Sequence, residues 1–392
     1  MRALAIGAGS EQARAIAAAR ALGAEVLALD GRPDAEGAGA ANRFAHVDLM
    51  DADAVLAIAR EFRPDFVIPV PLARPLIMAG IVNDALGLKG VTERGARLAN
   101  DKQAMREAFT ARGVPMARQM RVEDADGLRA AADALGFPLV LKPRAGSGSR
   151  GVTLIERESA LPARLDPIPG DDWIAEAALQ GTELGVDGVK IDGQVHVLCL
   201  RVKRMTEPPH RQELSYHAID PASFALTPRI TALAATCLEA MGCDDCFFNA
   251  DMMAGPDGEV SVIELAPRPG GNNIFSHILT RVFGTDLISW FMEAQMAGRA
   301  ATPPPFGAPV YFEYLPVPAG RVVRMGDLSA LQGGKAGIAV ESPLRPGDVL
   351  GPVTDGASAM ARGWVLCSPA DACEGAKIAL DCARIIIVEA QP

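Results

Sequence analysis

Through the first hundred residues, short apolar runs alternate with Ala-rich helical stretches. Arg2 to Ile6 reads as a buried strand, Gly7-Ala8-Gly9-Ser10 as a turn, and Glu11 to Leu22 as a helix. Glu25 to Leu29, ending in Asp30, is a second strand; Asp51 to Phe62 is helical, and Asp65 to Val70 is a third strand. Strands separated by helices predict a parallel sheet with helices on its faces. The turn Gly7-x-Gly9 has Gln12 where a dinucleotide fingerprint needs its third glycine, so it reads as an ordinary strand-to-helix turn rather than a nicotinamide site.

From about Asp101 the pattern changes. Asp101 to Arg112 is a helix closed by Gly113, with Pro115 beyond it, and Asp124 to Leu135 is a helix ended by Gly136. Strands then dominate: Pro138 to Lys142, Val152 to Ile155, Trp173 to Glu176, Leu184 to Val189 and Gln194 to Val202. Asp192-Gly193 marks a hairpin between the last two. Pro228 to Met241 is helical, and Phe247 to Met253 pairs with Val260 to Leu265 around Pro256-Asp257-Gly258. Ala297 to Pro309, with three consecutive prolines, reads as a linker, followed by short strands and a helix near Asp371 to Arg384.

Composition narrows the function. A net charge of −10 disfavours a nucleic acid or an anionic membrane as the main partner, because both reward clustered positive charge. Hydrophobic residues make up 49% of 392, enough for a sizeable core, and no apolar run approaches the roughly 20 residues that span a bilayer. Seven cysteines, an odd number, argue against a disulfide framework, and Cys243-x-x-Cys246 flanks an apolar strand and reads as buried thiols. The expectation is a soluble, cytoplasmic protein.

Two stretches carry chemistry. In Phe137 to Val152 a strand delivers Lys142 to a loop in which Gly146, Gly148 and Gly151 are interleaved with Ser147 and Ser149. Glycines let backbone N–H groups approach an anion, and the hydroxyls add donors. No helix follows the loop, so it is a flexible lid over phosphates, or a solvent-exposed hairpin loop, rather than a P-loop. In the second stretch, Asp251 and Glu264 lie on adjacent strands of a hairpin, where both carboxylates reach one face and suit Mg²⁺. Arg268 adds a fixed charge for a phosphoryl or carboxylate oxygen. Taken alone, the same three residues are also compatible with solvated surface charges.

Together with Asp101-Lys102 opening a helix, these motifs in this order resemble the ATP-grasp superfamily of carboxylate–amine ligases, over roughly residues 1 to 300 and a C-terminal lobe. The resemblance implies an α/β and α+β ATP-grasp fold in four parts: a Rossmann-like domain (1–100), a central lobe with the lid (101–190), a catalytic lobe with the metal site (191–300), and a C-terminal lobe (301–392). It implies that Lys102 and Lys142 contact the ATP phosphates beneath the Gly146–Gly151 loop. Glu176 would face the adenine amino edge, the backbone at Ala177 and Leu179 would bond the base, and Glu183 would hold the ribose. Met253 and Ile263 would sandwich the adenine. Asp251 and Glu264 would hold Mg²⁺, or Mn²⁺ in its place.

Lys203 to Ala222, Ala266 to Gly271 and Leu344 to Pro352 are similar to segments of the L-amino-acid ligase branch, which makes dipeptides. That branch has an active-site histidine some 35 residues before its first metal carboxylate. His217, 34 residues before Asp251, is the nearer candidate and His210 the second. One departure is that Ala266 stands where the family usually places Asn, two residues after the last acidic ligand. The implied reaction joins a carboxylate to an amine through an acylphosphate, with release of ADP and phosphate. Small-molecule acid and amine are the expected partners, and a homodimer is the family-level expectation. Other acceptors such as bicarbonate or a nucleotide-pathway amine stay open, as do a degenerate ATP-binding regulatory module and a dinucleotide-dependent oxidoreductase.

Overall fold

The computed structural model describes residues 1–146, 148–161, 172–271, 273–298 and 302–389. Its first sheet has the strand order Arg43–His46, Glu25–Asp30, Arg2–Ile6, Phe66–Val67, all parallel. Residues Ala3 to Ile6 are fully buried, as expected for a strand covered by helices on both faces. The strand expected over Asp65 to Val70 keeps only Phe66–Val67 in the ladder, because Pro69 and Pro71 have no N–H to donate. The helix Leu76–Leu86 was not expected: apolar almost all round, it shows no single-face period. Its Gly80 packs so closely that a Cβ would stand 2.5 Å from the Thr92 backbone.

The second sheet is antiparallel, ordered Gln119–Val122, Trp173–Ala177, Leu139–Pro143, Thr153–Ile155. The helix Ala125–Leu135 covers it, burying Leu128 and Ala131 against Val122, Leu139 and Ala175. Asp124 caps that helix by accepting from the Gly127 N–H.

The third sheet has eight strands, ordered Val260–Ala266, Cys246–Ala254, Thr182–Ile191, Gln194–Met205, Glu213–Ile219, Val310–Tyr314, Trp364–Cys367, Ala339–Glu341. Asp192 and Gly193 turn its central hairpin with φ of 47° and 78°, the two positive values of a type I′ turn. This sheet changes the expected partition. Thr182–Ile191 already belongs to it, so the break from the smaller sheet falls at 178–181 rather than at 190. The segment after 301 is not a separate layer: three of its strands extend the same sheet from Glu213–Ile219 outward. A further three-stranded sheet, Val349–Leu350, Gly320–Met325, Ile386–Glu389, packs beside it. All seven cysteines are free thiols, six of them buried. No helix among the described residues is long and apolar enough to cross a membrane.

Candidate active site

A cavity of about 440 Å³ is walled by the small sheet, the large sheet and the first turns of the N-terminal unit, a volume in the usual range of ligand sites. At one end stand the lysines. Asp101 caps the helix Lys102–Thr110, its Oδ1 accepting from the Gln103 and Ala104 N–H groups at 3.1 Å. It also receives Arg144 Nε at 2.9 Å. The Arg144 guanidinium, ahead of those backbone bonds in effect, holds the Asp101 carboxyl below the usual carboxylate range. Lys102, the first helical residue, is thereby fixed at the cavity wall, and its Nζ donates to the Gly146 carbonyl at 3.0 Å.

Lys142 is 5% exposed, with Nζ 2.7 Å from Glu176 Oε2. The glycine-rich loop joins two antiparallel strands, as its sequence implied. Gly146, Gly148, Ser149 and Gly151 all have positive φ, so glycine is required at most of these positions. The loop is docked at two points, on Lys102 and through the Gly356 N–H donating to the Gly148 carbonyl at 3.1 Å, and the strand after it is held by the Leu154 N–H donating to the Pro209 carbonyl at 2.7 Å.

At the other end, Asp251 and Glu264 face each other in register, both lining the cavity. Lys203 lies among the acids with Nζ 2.7 Å from Asp251, 3.0 Å from Glu213 and 3.4 Å from Glu183. Arg211 pairs with the other Glu183 oxygen. Burial pushes Asp251 up to about 7, with Glu264, Glu213 and Glu183 adding to it against the pull of Lys203. Burial works against the Lys203 charge too, yet Asp251, Glu213 and Glu183 outweigh it and hold the ammonium well above its usual value. Arg268 donates to the Pro269 carbonyl at 2.8 Å, and burial lowers it from the ordinary arginine value.

Behind this row a fully buried pair braces the wall. Arg201 Nε donates to Asp187 Oδ2 at 2.5 Å, Asn249 Nδ2 donates to Asp187 Oδ1 at 2.7 Å, and the guanidinium lies 4.8 Å over the Tyr216 ring. Gly185 makes room, since a Cβ there would come within 2.4 Å of the Arg201 guanidinium.

Most of the residues singled out from sequence line this one cavity: Lys102, Lys142, Gly146, Gly148, Ser149, Glu176, Ala177, Leu179, Glu183, Asp251, Met253, Ile263, Glu264 and Arg268. Ser147 lies outside the described residues. Gly151 is not on the wall; it turns beside Pro143 instead. The Ala177 N–H already donates to the Arg118 carbonyl at 2.9 Å, so it is not a free donor for a base.

His217 is a correction. On its strand Tyr216 pairs with Lys203 and lines the cavity, so His217, paired with Val202, is turned to the opposite face, where Asp371 is the charge that acts on it. Burial lowers its pKa. His210 does not line the cavity either, but bridges to Thr153 behind the lid. Sequence reading missed Arg201, Lys203, Arg211, Glu213 and Tyr216 as cavity residues. Its one available signal was Arg201-x-Lys203, charges two apart on a strand and hence on one face.

No set of three or more His, Cys, Asp or Glu among the described residues is arranged to hold a metal unaided. Asp251 and Glu264, opposed and open to the cavity, fit an ion whose remaining ligands are substrate phosphates and water, which is how Mg²⁺ is usually held.

Residues 99–272 match the family described as "ATP-grasp domain". An alanine–anticapsin ligase of Bacillus amyloliquefaciens is 27% identical over 249 residues, 56% of this chain and 51% of that protein. A formate-dependent phosphoribosylglycinamide formyltransferase of Erwinia tasmaniensis is 32% identical over 176 residues, 44% of this chain and 42% of its own. The chain thus spans about half the length of the curated relatives it matches. The crystal structure of an L-amino acid ligase from Bacillus licheniformis superposes with a TM-score of 0.78 at 18% identity, covering 100% of this chain and 99% of that one.

Proposed function

Since residues 99–272 form an ATP-grasp domain within an ATP-grasp fold, we propose that the protein is an ATP-dependent, ADP-forming carboxylate–amine ligase whose acid substrate is an amino acid. The observation that supports this best is the single cavity holding Lys102, Lys142 and the glycine-rich loop at one end and Asp251, Glu264 and Arg268 at the other.

Met253, Ile263 and Val140 give that cavity an apolar slot for a base, with the Leu179 backbone beside it. Lys142 and Lys102 neutralise the phosphate chain, and the loop closes over it, excluding the water that would hydrolyse an acylphosphate. Asp251 and Glu264 would hold Mg²⁺, which supplies charge neutralisation to the phosphates when bound. Arg268 offers a planar cation to the oxygens of the transferring phosphoryl group and of the tetrahedral carbon that follows. The acid's carboxylate attacks the γ-phosphorus and ADP leaves; the amine then attacks the acyl carbon and phosphate leaves. No protein nucleophile is needed, so the rate comes from positioning and charge.

Incubating the protein with ATP, Mg²⁺ and pooled amino acids should release ADP and phosphate and yield dipeptides on mass spectrometry. AMP and pyrophosphate would contradict the acylphosphate route. The formyltransferase relative supports a second reading, in which ADP release depends on formate or bicarbonate and a nucleotide-pathway amine and no dipeptide forms.

A further inference from the structure

We infer that this site takes one divalent cation, and that the Lys203 ammonium is a built-in second cation among its carboxylates. The inference rests on the nucleotide-binding reading above. The Lys203 side chain is 1% exposed and sits on the strand Gln194–Met205. Its nitrogen collects Glu183 from one neighbouring strand, Glu213 from the other, and Asp251 from the strand beyond, at 3.4, 3.0 and 2.7 Å.

Three carboxylates converge on one buried point, and oxygen donors of this kind suit a hard cation. Here the point is filled by a side chain, and the oxygens stand about 1 Å further out than metal ligands would. Gly185 permits the reach: in register it separates Asp251 from Arg201, and it puts no side chain between Lys203 and the acid.

The ammonium also decides what is left for a metal. With Asp251 Oδ1 taken, the metal-facing oxygens are Asp251 Oδ2 and the Glu264 carboxylate. On the far flank Ala266, which pairs with Asn249, brings no side-chain oxygen. A second divalent ion on the Asp251 side would have to share its ligands with an ammonium already in contact with them, a like-charge approach in a buried place. The charge a second ion would bring is therefore supplied covalently, and does not depend on metal supply.

The test counts Mn²⁺ bound to the full chain saturated with the non-hydrolysable analogue AMP-PNP, by the electron paramagnetic resonance of free Mn²⁺ at equilibrium. Wild type and Lys203→Arg should bind one Mn²⁺ per chain; Lys203→Met, which takes the ammonium from Asp251 and Glu213 and leaves Glu183 to Arg211, should bind two. Ala266→Asn should still bind one, because the ammonium remains. Two ions in wild type, one in a folded Lys203→Met protein that retains AMP-PNP, or two in Ala266→Asn would each overturn the inference. Should Lys203→Met fail to fold in a thermal melt, the wild-type and Ala266→Asn counts decide it. Failure of AMP-PNP to bind wild type would bring down the nucleotide reading itself, whereas AMP-PNP bound with two ions removes this inference alone.

Discussion

Glu264 lines the cavity in register with Asp251, whose Oδ1 is already held by Lys203. A metal would therefore lean on Glu264. Glu264→Gln is expected to lower kcat by about 100-fold or more while leaving the melting temperature within a few degrees, because charge aimed at a transition state is worth that much. Arg268→Lys should cost a comparable factor, since a point charge cannot reproduce the planar fork. ADP release assays and melting curves on the purified variants check both, and near wild-type turnover would remove either residue from the chemistry.

Asp101 matters through acidity. Its folded-state pKa is depressed by Arg144, so its stabilising contribution is complete above the ordinary carboxylate range and is lost as pH falls through the folded value. Asp101→Asn keeps a helix cap but loses the ion pair. It should cost about 1 kcal/mol at pH 7, and the gap in melting temperature from wild type should close toward pH 3. A gap that is constant with pH would contradict this.

At the scale of elements, the lid and one β-bulge carry the argument. Gly148 has a φ of 70° and its carbonyl accepts from Gly356, so the lid is closed by backbone geometry as well as by Lys102. Gly148→Ala meets no neighbouring atom but is strained in that conformation. It should reduce kcat/KM for ATP by about fivefold, equivalent to roughly 1 kcal/mol, with little change in global stability. Steady-state kinetics with a parallel melt tests this.

The bulge shows how two residues of one strand escape simple alternation. Glu213 and Tyr216 are three residues apart, yet both line the cavity, because the pairing with Gln194–Met205 shifts between Arg204 and Met205. Simple alternation would put them on opposite faces. A bulge is specified by the partner strand as much as by the segment that carries it. His217 was expected from its distance to Asp251 along the chain, and it stands one residue from Tyr216, the side chain that faces the cavity.

At the scale of the whole molecule, the large sheet ties the end of the chain to the site. Val310–Tyr314 pairs with Glu213–Ile219, and Tyr311 donates to Glu313 at 2.5 Å while Arg204 pairs with the same carboxylate. A fragment ending at residue 300 would leave Glu213–Ile219 as an edge strand and strip from Tyr216 the Phe312 ring that packs 5.8 Å from it. It should be aggregated or unfolded by circular dichroism and urea titration. A soluble fragment with a cooperative transition and AMP-PNP binding would show the C-terminal segment to be dispensable.

Net charge of −10 is no obstacle to a polyphosphate ligand, because the cations that matter are placed locally at Lys102, Lys142, Lys203 and Arg268. Sequence alone determined the local features of this protein: the helix starts at Asp101 and Asp124, the Asp192-Gly193 turn, the glycine-rich loop, and the Asp251–Glu264 hairpin. Each is a short-range consequence of capping, φ preference or pairing across a tight turn. Tertiary structure decided which strands became neighbours, and with them that Lys203 sits among three acids from three other strands. It also decided that Tyr216 and not His217 turns inward, and that the last ninety residues complete a sheet begun at Thr182. Those outcomes depend on pairing between residues tens to hundreds of positions apart, and the period of one strand holds no record of the strand that lies beside it.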